Sequence, residues 1–523
     1  MSSEAESRKS SRPSYIHGEE CWPDKGRIAP CQAACPIHMD VPGYIMALAQ
    51  GKYSEAVTIV RETNPFPSIC GRICPHPCEA ACNRTVVDEP LAIEWLKRSI
   101  GEYEKSHGGP PPPAARTRDE RVAVIGSGPA GLTAAHDLVQ LGYGVTVYEA
   151  LPVPGGMFAA GIPSYNLPPE VVTTEVDYIT SLGVEIKTNM RVGREVTLDE
   201  LRNQGFKAIL VAVGAWKSPP LPIPGVELDG VHQALPMLRD AKLGEMTKLK
   251  GDVIVIGGGN VAADAARSAL RMGADSVRLT CLEARDEMPA FEWEIEAAER
   301  EGVEILPALA PQQITSKTGK RVSGVEFLPV AETTRDDKGR MSWTLVEGAE
   351  PELLKANTVI IAIGQAPEAS FVDPSLLTER GTLKVDPATL ASDQDGLFGA
   401  GDVADMAGNV VDAIAAGHRA ASSIVRHLRG EDLISGEDED KREVFEVKPE
   451  MVPAFMERKN RWEMPTVSAR DSVRTFSETE LGYADWQVRE EAKRCMNCGM
   501  CGSCVFGHGQ LCYETSTRLL TLK

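Results

Sequence analysis

Two glycine-rich turns, each wedged between a short apolar strand and a helix-like stretch, constrain this chain more than any other feature. The first reads Arg121-Val-Ala-Val-Ile-Gly126-Ser127-Gly128-Pro129-Ala130-Gly131, the second Val253-Ile-Val-Ile-Gly257-Gly-Gly259-Asn260-Val261-Ala262. In such a unit the first glycine makes the tight turn, the second lets backbone approach a pyrophosphate, and the third packs helix on strand. The helix N-terminus then offers free N–H groups and a positive dipole end to the phosphates. Glu149 closes the next strand of the first unit, where an acid accepts a bond from an adenosine ribose. Glu283 holds the matching place in the second, where a carboxylate suits the 2′-hydroxyl of NAD(H) and repels a 2′-phosphate. Arg285, two residues on, is within reach of a phosphate. Gly401-Asp402 follows a further apolar run and returns to the first nucleotide, so the second unit interrupts the first. Alternating strands and helices predict an α/β chain with two Rossmann-like domains and parallel sheets covered on both faces.

The thirteen cysteines among 523 residues are lopsided: seven in 21–82, five in 495–512, and Cys281 alone between, expected in strand packing. Nothing resembles a small secreted disulfide scaffold, so the clusters read as iron–sulfur ligands, with zinc the runner-up. A net charge of −20 argues against nucleic-acid binding. The N-terminus lacks an apolar signal region and no apolar run is long enough to span a membrane, which predicts a cytoplasmic chain. The expected organisation is a helical iron–sulfur domain over 1–108, a Pro-rich linker over 109–120, and a flavin domain over 121–248 and 366–430. A nicotinamide domain over 249–365 and a polar extension with a cysteine motif over 431–523 complete it.

Several segments together resemble the small-subunit family of bacterial glutamate synthase, which includes the N-terminal half of dihydropyrimidine dehydrogenase and the large subunit of NADH-dependent ferredoxin:NADP oxidoreductase. They are Pro30-Cys-Gln-Ala-Ala-Cys-Pro, Asn64-Pro-Phe-Pro-Ser-Ile-Cys-Gly-Arg-Ile-Cys-Pro-His-Pro-Cys-Glu-Ala-Ala-Cys82, Gly155-Gly-Met-Phe-Ala-Ala-Gly-Ile-Pro, Glu287-Met-Pro-Ala and Arg494-Cys-Met-Asn-Cys-Gly. The resemblance implies FAD against Gly126, Ser127, Gly128, Pro129, Ala130, Gly131, Glu149, Gly155, Gly156, Met157, Val192, Gly214, Gly401, Asp402 and Val411. It implies NAD(H) against Gly257, Gly259, Asn260, Val261, Ala262, Glu283 and Gly364. It also implies [4Fe–4S] clusters in the helical domain, which with the tail motif would make two or three. One would use Cys35, Cys74, Cys78 and Glu94. A second would use Cys31, Cys82 and two upstream cysteines, but the family's upstream spacing is missing here. Cys21 remains before Cys31, and Cys70 is a possible substitute. In the tail, Cys495, Cys498, Cys501 and Cys504 repeat every third residue, the ferredoxin rhythm, with Cys512 or His508 as further candidates.

The expected function is an NAD(H)-linked flavin and iron–sulfur electron-transfer subunit, serving a partner catalytic subunit or a ferredoxin-like acceptor. In it the cofactors carry the chemistry and no side chain acts as a general acid or nucleophile. Alternatives are a glutamate synthase small subunit using NADPH and, in another class, a non-catalytic scaffold binding nucleotides and zinc. No C-x-x-C lies in the nicotinamide domain, which disfavours a dithiol relay.

Overall fold

The strands that lead into the two glycine turns, Arg121–Ile125 and Asp252–Ile256, each form the centre of a five-stranded parallel sheet. The first sheet runs Leu397–Gly399, Phe206–Val211, Arg121–Ile125, Gly144–Tyr148, Glu185–Lys187; the second Val231–Gln233, Thr358–Ile361, Asp252–Ile256, Ser276–Thr280, Glu304–Leu306. Both central strands bury every residue after the first, as a sheet covered on two faces requires. The structure, a computed structural model, describes residues 27–109, 111–246, 248–336, 341–404, 408–434, 442–452 and 456–498. Because Leu397–Gly399 pairs with Phe206–Val211, the chain returns to the first sheet after building the second, as expected of an inserted unit.

Three features differ from the sequence reading. Val231–Gln233 pairs with Thr358–Ile361, so the second unit takes up the chain before residue 231, whereas the sequence reading began it at 249. That strand is short and half-buried, which left no apolar run to read. An antiparallel sheet of Leu309–Thr315, Gly324–Arg335, Met341–Leu345 and Glu352–Lys355 is added to the second unit; its outer strands are largely exposed and carry a weak hydrophobic signal. Finally, the polar extension does not trail away. Glu443–Val444 pairs in parallel with Arg27–Ile28, and the helix Asp485–Ala492 packs on the N-terminal helix Val41–Ala49.

The N-terminal domain is helical, with Val41–Ala49, Tyr53–Arg61, Pro67–Ile73 and Ile93–His107 as its main elements. Gly71 and Gly101 let the last two cross closely: a Cβ on Gly71 would lie 2.4 Å from the Arg98 Cα, and one on Gly101 2.1 Å from the Ser68 Oγ. This domain is fastened to the first glycine-turn unit. Phe66 meets Phe158 edge-on at 5.4 Å, and one hydrophobic core runs from Tyr44 and Leu96 through to Val122 and Leu210. Glu175, fully buried, accepts from Arg61 Nη2 and from the backbone N–H of Ser68, both at 2.7 Å. That bond fixes the helix that ends at Cys74.

Candidate functional site

The two glycine turns are built alike. Gly126 (φ +102°) and Gly257 (φ +144°) donate to the carbonyls of Tyr148 and Thr280, the last residues of their neighbouring strands. A Cβ on Gly126 would lie 2.4 Å from the Ala212 carbonyl oxygen, and one on Gly257 2.2 Å from that of Ala362. Neither position admits a side chain. Gly128 and Gly259 cap the helices Pro129–Gln140 and Asn260–Arg271, and a Cβ on either would meet open space.

At the first turn Ser127 ties the parts together. Its N–H and Oγ donate to Glu149 Oε2 at 3.0 and 2.5 Å, while Oγ accepts from Gly155 N–H at 2.9 Å. Gly156 then rests on the turn so closely that a Cβ would stand 2.7 Å from the Gly128 Cα. Gly128, Ala130, Gly156, Met157, Val192, Gly214, Gly401 and Asp402 all face one cavity of about 1090 Å³. The N-terminus of a second helix, Val410–Arg429, opens onto it beside that of Pro129–Gln140, so two positive helix ends converge. Burial pushes the Asp402 carboxyl above its ordinary range, partly offset by the Gly408 N–H. Val411 is a core residue and does not line the cavity; Val410 does. Gly131 and Gly155 act beneath the surface, as packing and turn positions. This glycine-built cradle fits an extended dinucleotide such as FAD.

In the second unit Asn260 faces the same cavity and its Oδ1 accepts from the Phe291 N–H at 2.9 Å. Gly257, Gly259, Val261, Ala262, Glu283 and Gly364 lie outside its lining; Ala262 is buried in the unit's core. Glu283 is buried against the turn, its Oε2 3.0 Å from where a Gly258 Cβ would be. Arg335 approaches Glu283 Oε1 at 3.4 Å, and Arg285 is engaged with Glu292 and Glu299. The two units meet along the cavity. Lys242 Nζ, from the second, donates to the carbonyls of Phe158, Ile162 and Leu167 at 2.6–3.0 Å.

Cys74 lines this cavity together with Pro75, His76, Glu94 and Trp95, so the N-terminal domain forms one wall of the nucleotide site. Cys35, Cys74 and Cys78 are buried, and Cys35 is among the electrostatic neighbours of both others. Burial pushes the Cys74 and Cys78 thiols up while Lys97, 2% exposed, pulls both down. Glu94 stands beside Cys74, but its Oε2 is 3.0 Å from His76 Nδ1. Burial opposes the charge on His76, yet Glu94 lifts it to about 8. The Tyr44 hydroxyl, fully buried, has no hydrogen-bond partner among the described residues, and Cys78, Cys31 and Cys35 are its foremost titratable neighbours. An orphaned O–H donor amid thiols fits a sulfur-rich occupant, since bound metal converts buried thiols into thiolate acceptors. Cys31, by contrast, has Cys495, Cys82 and Cys498 beside it. Cys70 is placed elsewhere: its Sγ lies 3.7 Å from Asn64 Oδ1, next to Cys74 and Lys97, so it does not substitute in the Cys31–Cys82 group. Cys21, Cys501, Cys504, His508 and Cys512 lie outside the described residues.

Lys97, His76, Tyr44 and Lys242 went unread in the sequence. Lys97 had one signal, its place one helical turn after Glu94. Cys281 is buried as expected, its thiol pushed up to about 12 by burial and Glu283.

Two glycine-turn units over one cavity, with a thiol-bearing domain at its wall, define a flavin- and pyridine-nucleotide-dependent oxidoreductase. Residues 120–420 match the pyridine nucleotide-disulphide oxidoreductase family, and residues 19–109 the family described as dihydropyrimidine dehydrogenase domain II, 4Fe-4S cluster. The chain belongs to this family of FAD-dependent NAD(P)H oxidoreductase subunits with an N-terminal 4Fe–4S domain, the glutamate synthase small-subunit group. It is 39% identical over 515 residues to the NADP(+)-dependent formate dehydrogenase subunit beta of Moorella thermoacetica, covering 92% of this chain and 72% of that one. It is 36% identical over 506 residues to the NADPH-Fe(3+) oxidoreductase subunit beta of Geobacter sulfurreducens, covering 90% and 75%. The small chain of glutamate synthase [NADPH] from Azospirillum brasilense is 35% identical over 417 residues, covering 75% of this chain and 85% of that one. FprA from Mycobacterium tuberculosis shares the fold at TM-score 0.51 and 17% identity, over 60% of this chain and 85% of its own. Among the described residues no helix is long and apolar enough to cross a membrane.

Proposed function

We propose that this chain is the subunit of a cytoplasmic oxidoreductase complex that takes electrons from NADH and delivers them, through iron–sulfur clusters, to a partner subunit that completes a reaction. One observation carries the reading: a single cavity is lined by the first turn (Gly126 to Ala130), by Asn260 of the second and by Cys74. A bound flavin supplies the exchange between a two-electron donor and one-electron carriers. The residues do the rest. Gly128 and the two convergent helix ends hold the pyrophosphate, Glu149 accepts from the ribose, and Asp402 flanks the flavin side. Cys35, Cys74 and Cys78, with Glu94 as fourth ligand, hold a cluster next to the flavin, and Lys97 sets its charge balance.

Glu283 supports NADH, being buried at the place where a 2′-phosphate would approach the turn. The relatives named above are NADP-linked by name, and a glutamate synthase small subunit using NADPH is the competing reading. Those relatives being subunits supports a complex. Anaerobic rapid mixing with NADH tests the proposal: flavin absorbance bleaches first and cluster absorbance follows. In Cys74→Ala the flavin still bleaches and cluster reduction is lost. Flavin bleaching only by NADPH, or full cluster reduction in Cys74→Ala, defeats it.

A further inference from the structure

We propose that Cys31, Cys82, Cys495 and Cys498 ligate a single [4Fe–4S] cluster, built jointly from the first domain and the last described segment. This rests on the reading of the chain as an iron–sulfur electron carrier and replaces separate clusters for the N-terminal pair and the tail motif. All four cysteines line one small cavity between Pro30, Pro42, Leu91 and Ile93. Four thiols around one space are the complete ligand set of a cubane. A cubane binds each thiolate through a different iron, whereas one zinc, at a Zn–S distance of about 2.3 Å, draws four together, so metal analysis separates the two.

The Cys495–Cys498 turn is held in place from outside the thiols. Arg494, 3% exposed, donates from Nη1 to Glu491 Oε1 at 2.7 Å and from Nη2 to Asp88 Oδ1 at 2.9 Å. Arg84 grips the same Asp88 and donates to the Arg494 carbonyl at 3.1 Å. Glu491, fully buried, also accepts from the Ala92 N–H at 2.9 Å. These buried ion pairs join the two stretches of chain directly beside Cys82 and Cys495. Asn497 takes a left-handed conformation (φ +53°) that bends the pair back on itself, and its N–H lies 3.4 Å from Cys495 Sγ. Such N–H donors are what ligand sulfurs receive in cluster sites.

Placement gives the site its role. Cys35, Cys74 and Cys78 are buried, whereas Cys31, Cys82, Cys495 and Cys498 are each partly exposed. Cys78 is also a titratable neighbour of Cys31, and Tyr44 stands among Cys78, Cys31 and Cys35. The joint cluster is therefore the next carrier after the one at the cavity wall, and the one facing outward toward an electron acceptor.

Iron counting, electron paramagnetic resonance and metal analysis on the full-length, anaerobically reconstituted protein test this, with flavin absorbance reporting that each variant is folded. Cys31→Ala, Cys495→Ala and the double variant should each lose about four irons, with no further loss in the double. Cys31→Ser and Cys495→Ser should alter the same resonance and leave unchanged the one abolished by Cys74→Ala. A loss of about eight irons in the double variant would mean two clusters and overturn the proposal. So would full iron in Cys495→Ala, or loss of zinc rather than iron. In each of those cases Cys74→Ala still reports on the cavity-wall cluster, so the broader reading fails separately, when Cys74→Ala changes nothing.

Discussion

Glu301→Gln should loosen the joint between the two nucleotide units while leaving its shape intact. Glu301 is almost fully buried and bridges two guanidiniums, taking Arg267 at 3.0 Å and Arg271 at 2.6 Å. Both arginines lie over the ring of Tyr165, at 4.6 and 3.8 Å, and Tyr165 donates to the Asp264 carbonyl across the boundary between units. Burial alone would raise the Glu301 carboxyl, but hydrogen bonds from Arg271 and Arg267 bring it down from 4.5 to about 2. A depressed acid stabilises the folded state fully above its unfolded pKa and loses that stabilisation as pH falls through the folded one. The drop from 4.5 to about 2 is worth about 3 kcal/mol, in line with about 3–5 kcal/mol for removing one partner of a buried pair. Unfolding of so large a chain is not one transition, so hydrogen exchange of the helix Asn260–Arg271 is the assay. At neutral pH the variant should exchange about a hundredfold faster there, and the wild type should approach it as pH falls from 4.5 toward 2. Protection within about threefold of wild type at neutral pH would refute the argument, because that leaves at most ~0.7 kcal/mol in the bridge.

Cys74→Ala and Cys78→Ala should each remove about four irons and keep FAD, measured by iron assay beside flavin absorbance. Glu283→Arg should shift the ratio of kcat/KM toward NADPH by at least about tenfold, since a repelling charge is exchanged for a phosphate donor; an unchanged ratio means Glu283 does not read the ribose. Lys97→Met should lower the potential of the cavity-wall cluster by on the order of 100 mV, because a buried cation favours the more negative, reduced state; redox titration followed by electron paramagnetic resonance measures it. Glu94→Ala should change the resonance of that same cluster, and an identical spectrum would remove Glu94 from its ligands.

Much of this architecture is local and was open to a reader of the sequence. The glycine turns declare themselves because a strand, a turn needing positive φ and a helix follow one another within a dozen residues. Glu149 follows the strand Gly144–Tyr148 directly for the same reason, while Glu283 lies three residues past Ser276–Thr280. What lay hidden depends on contacts between distant segments. Val411 sits in the right helix, but its side chain turns into the core while Val410 faces the cavity. Cys70 has cluster-like spacing, yet the crossing of its helix with Ile93–His107 turns it toward Asn64 and Lys97. Cys495 and Cys498 read as the start of a separate motif, because no local pattern brings them to Cys31 and Cys82. The arginines and acids that do so, buried Arg84, Glu491 and Arg494 with half-buried Asp88, look like ordinary surface charges in a sequence.

The pairing of Arg27–Ile28 with Glu443–Val444, and of Asp88 with Arg494 406 residues away, has a consequence for biosynthesis. At about 5–20 residues per second, the first domain leaves the ribosome tens of seconds before the segment that closes it. Its helices and the face beneath Asp485–Ala492 stay uncovered through that interval. Translation of the flavin and nicotinamide units is therefore a built-in delay during which this domain remains open to whatever loads its metal. A stalled or truncated chain would leave that face exposed.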